Sequence, residues 1–208
     1  YTSSGDIYIE GNGHTIYNLN SNVNGIFSTM NAKTTIVNLN IKSVKVIGKS
    51  NSDKVSPIGR PMSSGYRFEN VHIDGGFIQS GGSDTCGFIS RPGSVNTFIK
   101  DCSTENMYIY GAGQHTSGFI GCISGAQNSF TGGYGVRFDV EYPDQPEAIF
   151  GNSSTSLNTS DARYPFYVTN CYSIDCEFFS TSGHSGGFIS CMDSGLICKN
   201  SFCNNSIY

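Results

Sequence analysis

Apolar and polar positions alternate along this chain in short runs, and the runs recur. Ile36-Val37-Asn38-Leu39-Asn40-Ile41 is such a run, and Phe68-Glu69-Asn70-Val71-His72-Ile73 has the same texture. Phe98-Ile99-Lys100-Asp101-Cys102 and Tyr167-Val168-Thr169-Asn170-Cys171 fill the same slot further on. A second set follows: Val44-Lys45-Val46-Ile47, Gly76-Phe77-Ile78-Gln79, Met107-Tyr108-Ile109-Tyr110 and Glu177-Phe178-Phe179. Period-two alternation in Ile, Val, Phe and Tyr predicts strands, and no stretch of a dozen residues carries helical spacing. A third set is the small-apolar-small cluster Gly25-Ile26-Phe27-Ser28. It returns as Ser56-Pro57-Ile58-Gly59, Gly87-Phe88-Ile89-Ser90 and Gly118-Phe119-Ile120-Gly121, each 31 residues after the last. Gly187-Phe188-Ile189-Ser190 comes 69 residues later, one period of 31 plus an insertion of 38.

A constant interval of this kind marks stacked repeats. Three short strands per period, separated by polar turns, predict an all-β, right-handed parallel β-solenoid of about 31 residues per coil. The tetrapeptide cluster is read as strand, and the residues after it (Thr29-Met30-Asn31, Arg60-Pro61-Met62, Arg91-Pro92-Gly93, Cys122-Ile123-Ser124, Cys191-Met192-Asp193) are read as a turn. The extra residues fall at 128–164 and are read as a loop or side hairpin leaving one corner of the coil. The 208 residues fit a single domain, 1–208. The chain begins at Tyr1 and stops part-way through a repeat, so it reads as an excerpt of a longer solenoid.

Gly11-Asn12-Gly13-His14-Thr15-Ile16-Tyr17-Asn18-Leu19-Asn20, with Gly25-Ile26-Phe27 and Thr35 to Ile41, resembles the GLUG repeat. The likeness covers residues 9–48, and the later copies depart from it with Arg-Pro or Cys in the turn. GLUG repeats occur in bacterial and protist surface proteins, among them adhesins and non-catalytic parts of secreted peptidases. The resemblance therefore implies a β-helix with a surface or adhesive role, and it brings no catalytic residues.

Composition narrows the function classes. Only 13% of residues are charged, 26 are glycine, none is tryptophan, and the net charge is −4. That balance gives no reason to expect nucleic acid as a partner. No apolar run approaches the roughly 20 residues that span a bilayer. All eight cysteines lie from residue 86 onward. Cys102 with Cys171, and Cys122 with Cys191, stand in equivalent repeat positions, which would put each pair about 5 Å apart on adjacent coils. That separation suits either disulfides or stacked columns of buried thiols. No zinc-type Cys-x-x-Cys occurs. Asn152, Asn158 and Asn204 begin N-x-Ser/Thr glycosylation patterns. Cysteine and sequon usage together point to an extracellular or cell-surface protein.

Polar residues form columns at the repeat interval. One comprises Asn22, Asp53, Asp84, His115 and His184; within it His115, His184 and Asp84 are candidate metal ligands, against the ordinary reading of a solvated turn. Asp53 and Asp84 are the one carboxylate pair sharing a column. Another column is Asn38, Asn70, Asp101, Asn170 and Asn200, read as structural. Arg60 and Arg91 stand one period apart and suggest a grip on an anionic sugar. The acids are otherwise scattered, without the controlled spacing that glycoside cleavage needs, and no nucleophile elbow or phosphate loop occurs. The expectation is a non-catalytic structural or adhesive module, without cofactor, that associates with itself or with neighbouring subunits of a fibre. The competing expectation is a carbohydrate-binding or carbohydrate-active β-helix using Tyr108, Tyr110, Tyr134, Tyr142 and the insertion.

Overall fold

The computed structural model describes residues 2–3, 5–31, 33–49, 54–62, 65–92, 97–123, 166–192 and 196–208. Within them the chain is all-β, contains no helix, and pairs every strand in parallel. In chain order the strands are β1 (Thr2–Ser3), β2 (Ile7–Glu10), β3 (Thr15–Tyr17), β4 (Asn20–Ser21), β5 (Phe27–Met30) and β6 (Thr34–Ile47). Next come β7 (Gly59–Pro61), β8 (Arg67–Ser80), β9 (Phe98–Lys100), β10 (Ser103–Gly111), β11 (Thr116–Ser117) and β12 (Ile120–Ile123). The last are β13 (Phe166–Thr169), β14 (Tyr172–Ser180), β15 (Ser185–Gly186), β16 (Ile189–Met192), β17 (Leu196–Lys199) and β18 (Phe202–Ile207). Eleven of them belong to one curled sheet; the rest form one three-stranded and two two-stranded sheets. The predicted insertion, 128–164, lies outside the described residues.

Register ties the sequence interval to space. Thr35 pairs with Arg67, His72 with Ser103, and Ser103 with Tyr172 across the long interval. The first turn is shorter: Ile7 pairs with Thr34 and Thr15 with Asn40. Apolar residues of one column face inward at successive levels. Ile36, Phe68, Ile99 and Val168 are consecutive partners, as are Val46, Ile78, Ile109 and Phe178, and all eight are fully buried. On the third side Phe88 stacks on Phe119 with ring centroids 4.7 Å apart, and Phe119 on Phe188 at 4.8 Å. Those spacings equal the distance between hydrogen-bonded strands, so the repeated phenylalanine is a ladder running through the core.

Two details differ from the sequence reading. The first two strands of each period are not separate in β6 and β8, which run for 14 residues each. Neighbouring levels bend at the same place, so the ladder of hydrogen bonds continues through the corner instead of breaking there. Residues read as turns after the tetrapeptide, among them Thr29-Met30, Arg60-Pro61, Cys122-Ile123 and Cys191-Met192, lie in β5, β7, β12 and β16. The adjacent level supplies parallel partners that local turn preference does not anticipate.

The bends explain the polar columns. Asn38, Asn70, Asp101, Asn170 and Asn200 all have φ between 49° and 54°. This left-handed conformation costs most L-residues about 1–2 kcal/mol, and Asn and Asp tolerate it best. Their side chains also bond along the column: the Asn70 amide donates to Asn38 Oδ1 at 2.8 Å, and the Asn170 amide to Asp101 Oδ1 at 2.9 Å. Replacing Asn70 by alanine is expected to lower stability by about 1–2 kcal/mol, whereas glycine, which accepts positive φ freely, loses less. Urea unfolding of the two variants checks this ordering, which is opposite to ordinary strand preference.

Candidate functional site

The corner that precedes each Gly-Phe-Ile stretch is held by Lys54, Asp84, His115 and His184, with φ of 60°, 61°, 64° and 56°. Val55 bridges Thr85, which sets Lys54 opposite Asp84. The expected Asp53–Asp84 pair is therefore replaced by Lys54 and Asp84, because the register at this level is one residue shorter than the sequence interval. Asp53 itself lies outside the described residues.

Asp84, His115 and His184 do come together. Asp84 is 1% exposed and His115 7%, while His184 is exposed. Nδ1 of His115 lies 2.8 Å from Asp84 Oδ1, and its Nε2 lies 3.3 Å from Nδ1 of His184. The two imidazoles stack at 5.3 Å between centroids with a 9° tilt. A carboxylate accepts only, so the contact with Asp84 fixes the proton of His115 on Nδ1 and leaves the Nε2 lone pair facing away from the acid. Burial pushes the Asp84 carboxyl up from its ordinary range, against the pull of Arg91 and His115.

Two cysteines complete the group. Cys122 and Cys191 are register partners in β12 and β16. Their sulfurs and a ring nitrogen of His115 lie within 4.8 Å of one another. Arg91 closes the far side, with Nη1 3.3 Å from Asp84 Oδ2 and Nη2 donating to Cys122 Sγ at 3.5 Å. Burial, reinforced by the neighbouring Cys191, pushes the Cys122 thiol up to about 12, with Arg91 acting in the opposite sense. Arg91 is thus drawn inward by Asp84 and Cys122 rather than turned to solvent to grip an anionic sugar. The sequence reading split this cluster into a metal column and a cysteine pair. The signal that joins them is a spacing of seven residues in three successive periods: Asp84 to Arg91, His115 to Cys122, and His184 to Cys191.

The other candidates are placed as follows. Cys102 and Cys171 are buried on adjacent levels, each sulfur bonded to a nearby carbonyl, Lys100 at 3.1 Å and Thr169 at 3.1 Å. All eight cysteines carry thiols in this structure. Asn204 is exposed in β18, and Asn152 and Asn158 lie outside the described residues. Tyr134 and Tyr142 also lie outside them. Tyr108 and Tyr110 stand on an outward sheet face with Phe77, Gln79 and Phe179, lining a shallow groove of about 310 Å³. Phe77, Tyr108 and Glu177 are consecutive partners in one column, and Gln79, Tyr110 and Phe179 in the next. Tyr108 is 53% exposed and Phe77 37%.

The chain matches no family model, and neither curated proteins nor solved structures supply a match.

Proposed function

We propose that this chain is a non-catalytic structural or adhesive module of an extracellular or cell-surface protein. In this reading it is a right-handed parallel β-solenoid with three strands and about 31 residues per coil, interrupted once by 38 residues. The likeness of residues 9–48 to the GLUG repeat supports it. The observation that carries it is the outward face bearing Phe77, Tyr108, Tyr110 and Phe179. Aromatic rings fixed at strand spacing on a rigid sheet make a contact surface, and rigid aromatics contribute contact area at little cost in conformational entropy. Copies of the same chain, or neighbouring subunits of one fibre, are the partners this reading names.

A second reading, carbohydrate binding, is favoured by the groove on that face. Its floor is aromatic and aliphatic, with one amide, Gln79, among the rings. Planar apolar rings beside an amide suit the apolar face and hydroxyl edge of a sugar, and the volume sits at the small end of ligand sites.

One pair of measurements tests both. Negative-stain electron microscopy of native material is expected to show filaments with a regular axial repeat if the module is a fibre subunit; discrete particles would remove that partner. Retention on a polysaccharide array is the expected result for the second reading. Tyr108→Ala is then expected to weaken retention about tenfold or more while shifting stability by less than about 0.5 kcal/mol, as an exposed side chain should. A blank array and discrete particles together would overturn both readings.

A further inference from the structure

We propose that His115, Cys122 and Cys191 form a metal site that takes zinc, with Asp84 as the residue that orients His115. This goes beyond the adhesive reading and does not rest on it, since the cluster lies on a different side of the chain from the aromatic groove.

The donor set is the first argument. Two thiolates and one imidazole suit borderline-soft, tetrahedral zinc and do not suit calcium or magnesium, which take oxygen. Zinc binds sulfur at about 2.3 Å and nitrogen at about 2.0–2.1 Å, so ligands sharing one tetrahedral ion stand about 3.4–3.8 Å apart. The three ligand atoms here already lie within 4.8 Å of one another. Closing the difference takes a shift of about 1 Å spread over three side chains, with no backbone rearrangement.

The surroundings are the second. Metal-bound imidazoles commonly donate their other N–H to a carboxylate, which fixes the tautomer and raises ligand basicity. Asp84 stands in that place, buried and 2.8 Å from Nδ1, leaving Nε2 to the ion. Charge closes as well: two thiolates neutralise a divalent ion, and Asp84 neutralises Arg91, so a buried site carries no net charge. Nδ1 of His184, 3.3 Å from Nε2 of His115, is a further donor on the same side.

The fold makes the site from stacking alone. Cys122 and Cys191 are 69 residues apart in sequence and opposite each other in register. An ion held by all three side chains would pin two adjacent levels together beside the long insertion interval, where the chain has the greatest excursion to close.

The test is a cobalt(II) titration of the whole chain, reduced with a non-thiol reductant so that a Cys122–Cys191 disulfide does not compete. The expected result is one equivalent bound, with a thiolate-to-cobalt charge-transfer band and the intense visible bands of tetrahedral cobalt, both erased by zinc. Cys191→Ser and His115→Gln should each lose the charge-transfer band or the tetrahedral bands and bind at least tenfold more weakly. Asp84→Asn should bind about 10–100-fold more weakly, as is usual when the carboxylate behind a metal-bound histidine is removed. Cys203→Ser, exposed in β18, should bind as the parent does. Absence of the charge-transfer band in the reduced parent protein overturns the proposal, independently of whether any variant folds. So does its persistence unchanged in folded Cys191→Ser.

Discussion

Phe119→Ala is expected to lower the stability of the chain by about 3–5 kcal/mol, the range for removing a buried aromatic ring. Phe119 is fully buried, and its ring lies between those of Phe88 and Phe188 at 4.7 and 4.8 Å. Truncation therefore removes two ring stacks as well as the apolar area of one side chain. The neighbours cannot close the gap easily. Phe88 and Phe188 hang from strands whose spacing is fixed at about 4.8 Å by backbone hydrogen bonds, and those bonds link Phe88 to Phe119 and Ile120 to Phe188 at 3.0 and 2.9 Å. A cavity that cannot collapse sits at the costly end of the range. Against a total of about 5–15 kcal/mol for an ordinary domain, such a loss is a third or more of the stability. Urea unfolding of Phe119→Ala beside Tyr108→Ala checks it. Both remove one aromatic ring from the same level or the next, and only the inward one should matter. Equal losses would mean that the repeated phenylalanine is not the core ladder.

That phenylalanine was the most legible feature of the sequence. Its interval survives in the structure because a side chain buried at one level must be buried at the next, and the same residue solves the same problem each time. The asparagine column was equally legible as a column, yet its cause was not. Asn38, Asn70 and Asp101 are there for a left-handed backbone angle, which alternation of apolar and polar residues does not encode. Register within one level was legible only on average. A one-residue shortening before Val55 puts Lys54 opposite Asp84, and no pattern in 50–54 announces it. The cluster of His115, Cys122 and Cys191 was the least legible. Its members come from two sides of one corner, and whether a residue seven positions past that corner turns back toward it depends on the local bend. The polar residues themselves gave no sign of it, since a histidine that tolerates a left-handed angle and a histidine that faces a cysteine look the same in sequence.

The glycine that opens each repeat carries a second large effect, and here the cause is contact rather than conformational freedom. Gly118 lies against the next level so closely that a Cβ placed on it would meet the Gly187 carbonyl oxygen and Ser173 Oγ, each at 2.6 Å, and the Asn205 amide. None of these can step aside cheaply. The Asn205 amide donates to Ser173 Oγ at 2.8 Å and to the Gly187 carbonyl at 2.6 Å. The Thr104 and Ser173 hydroxyls lie 2.8 Å apart, and Thr104 Oγ1 donates to the Gly118 carbonyl at 2.9 Å. Thr104 and Ser173 are fully buried, so a methyl group that pushes them apart leaves polar atoms without partners and without water. Overpacking of this kind costs about 1–3 kcal/mol, and each polar group left unsatisfied about 1–3 kcal/mol more. Gly118→Ala is therefore expected to destabilise by at least about 3 kcal/mol, and Gly118→Val to prevent folding at ambient temperature. Gly183→Ala is the internal control: nothing lies within 4 Å of the added methyl, so its change should stay within about 0.5 kcal/mol. Thermal unfolding of the three variants decides the matter. If Gly118→Ala melts with Gly183→Ala, the levels on either side of the long interval are not in direct contact, and the register between Ile120 and Ile189 on which the proposed metal site depends fails with it.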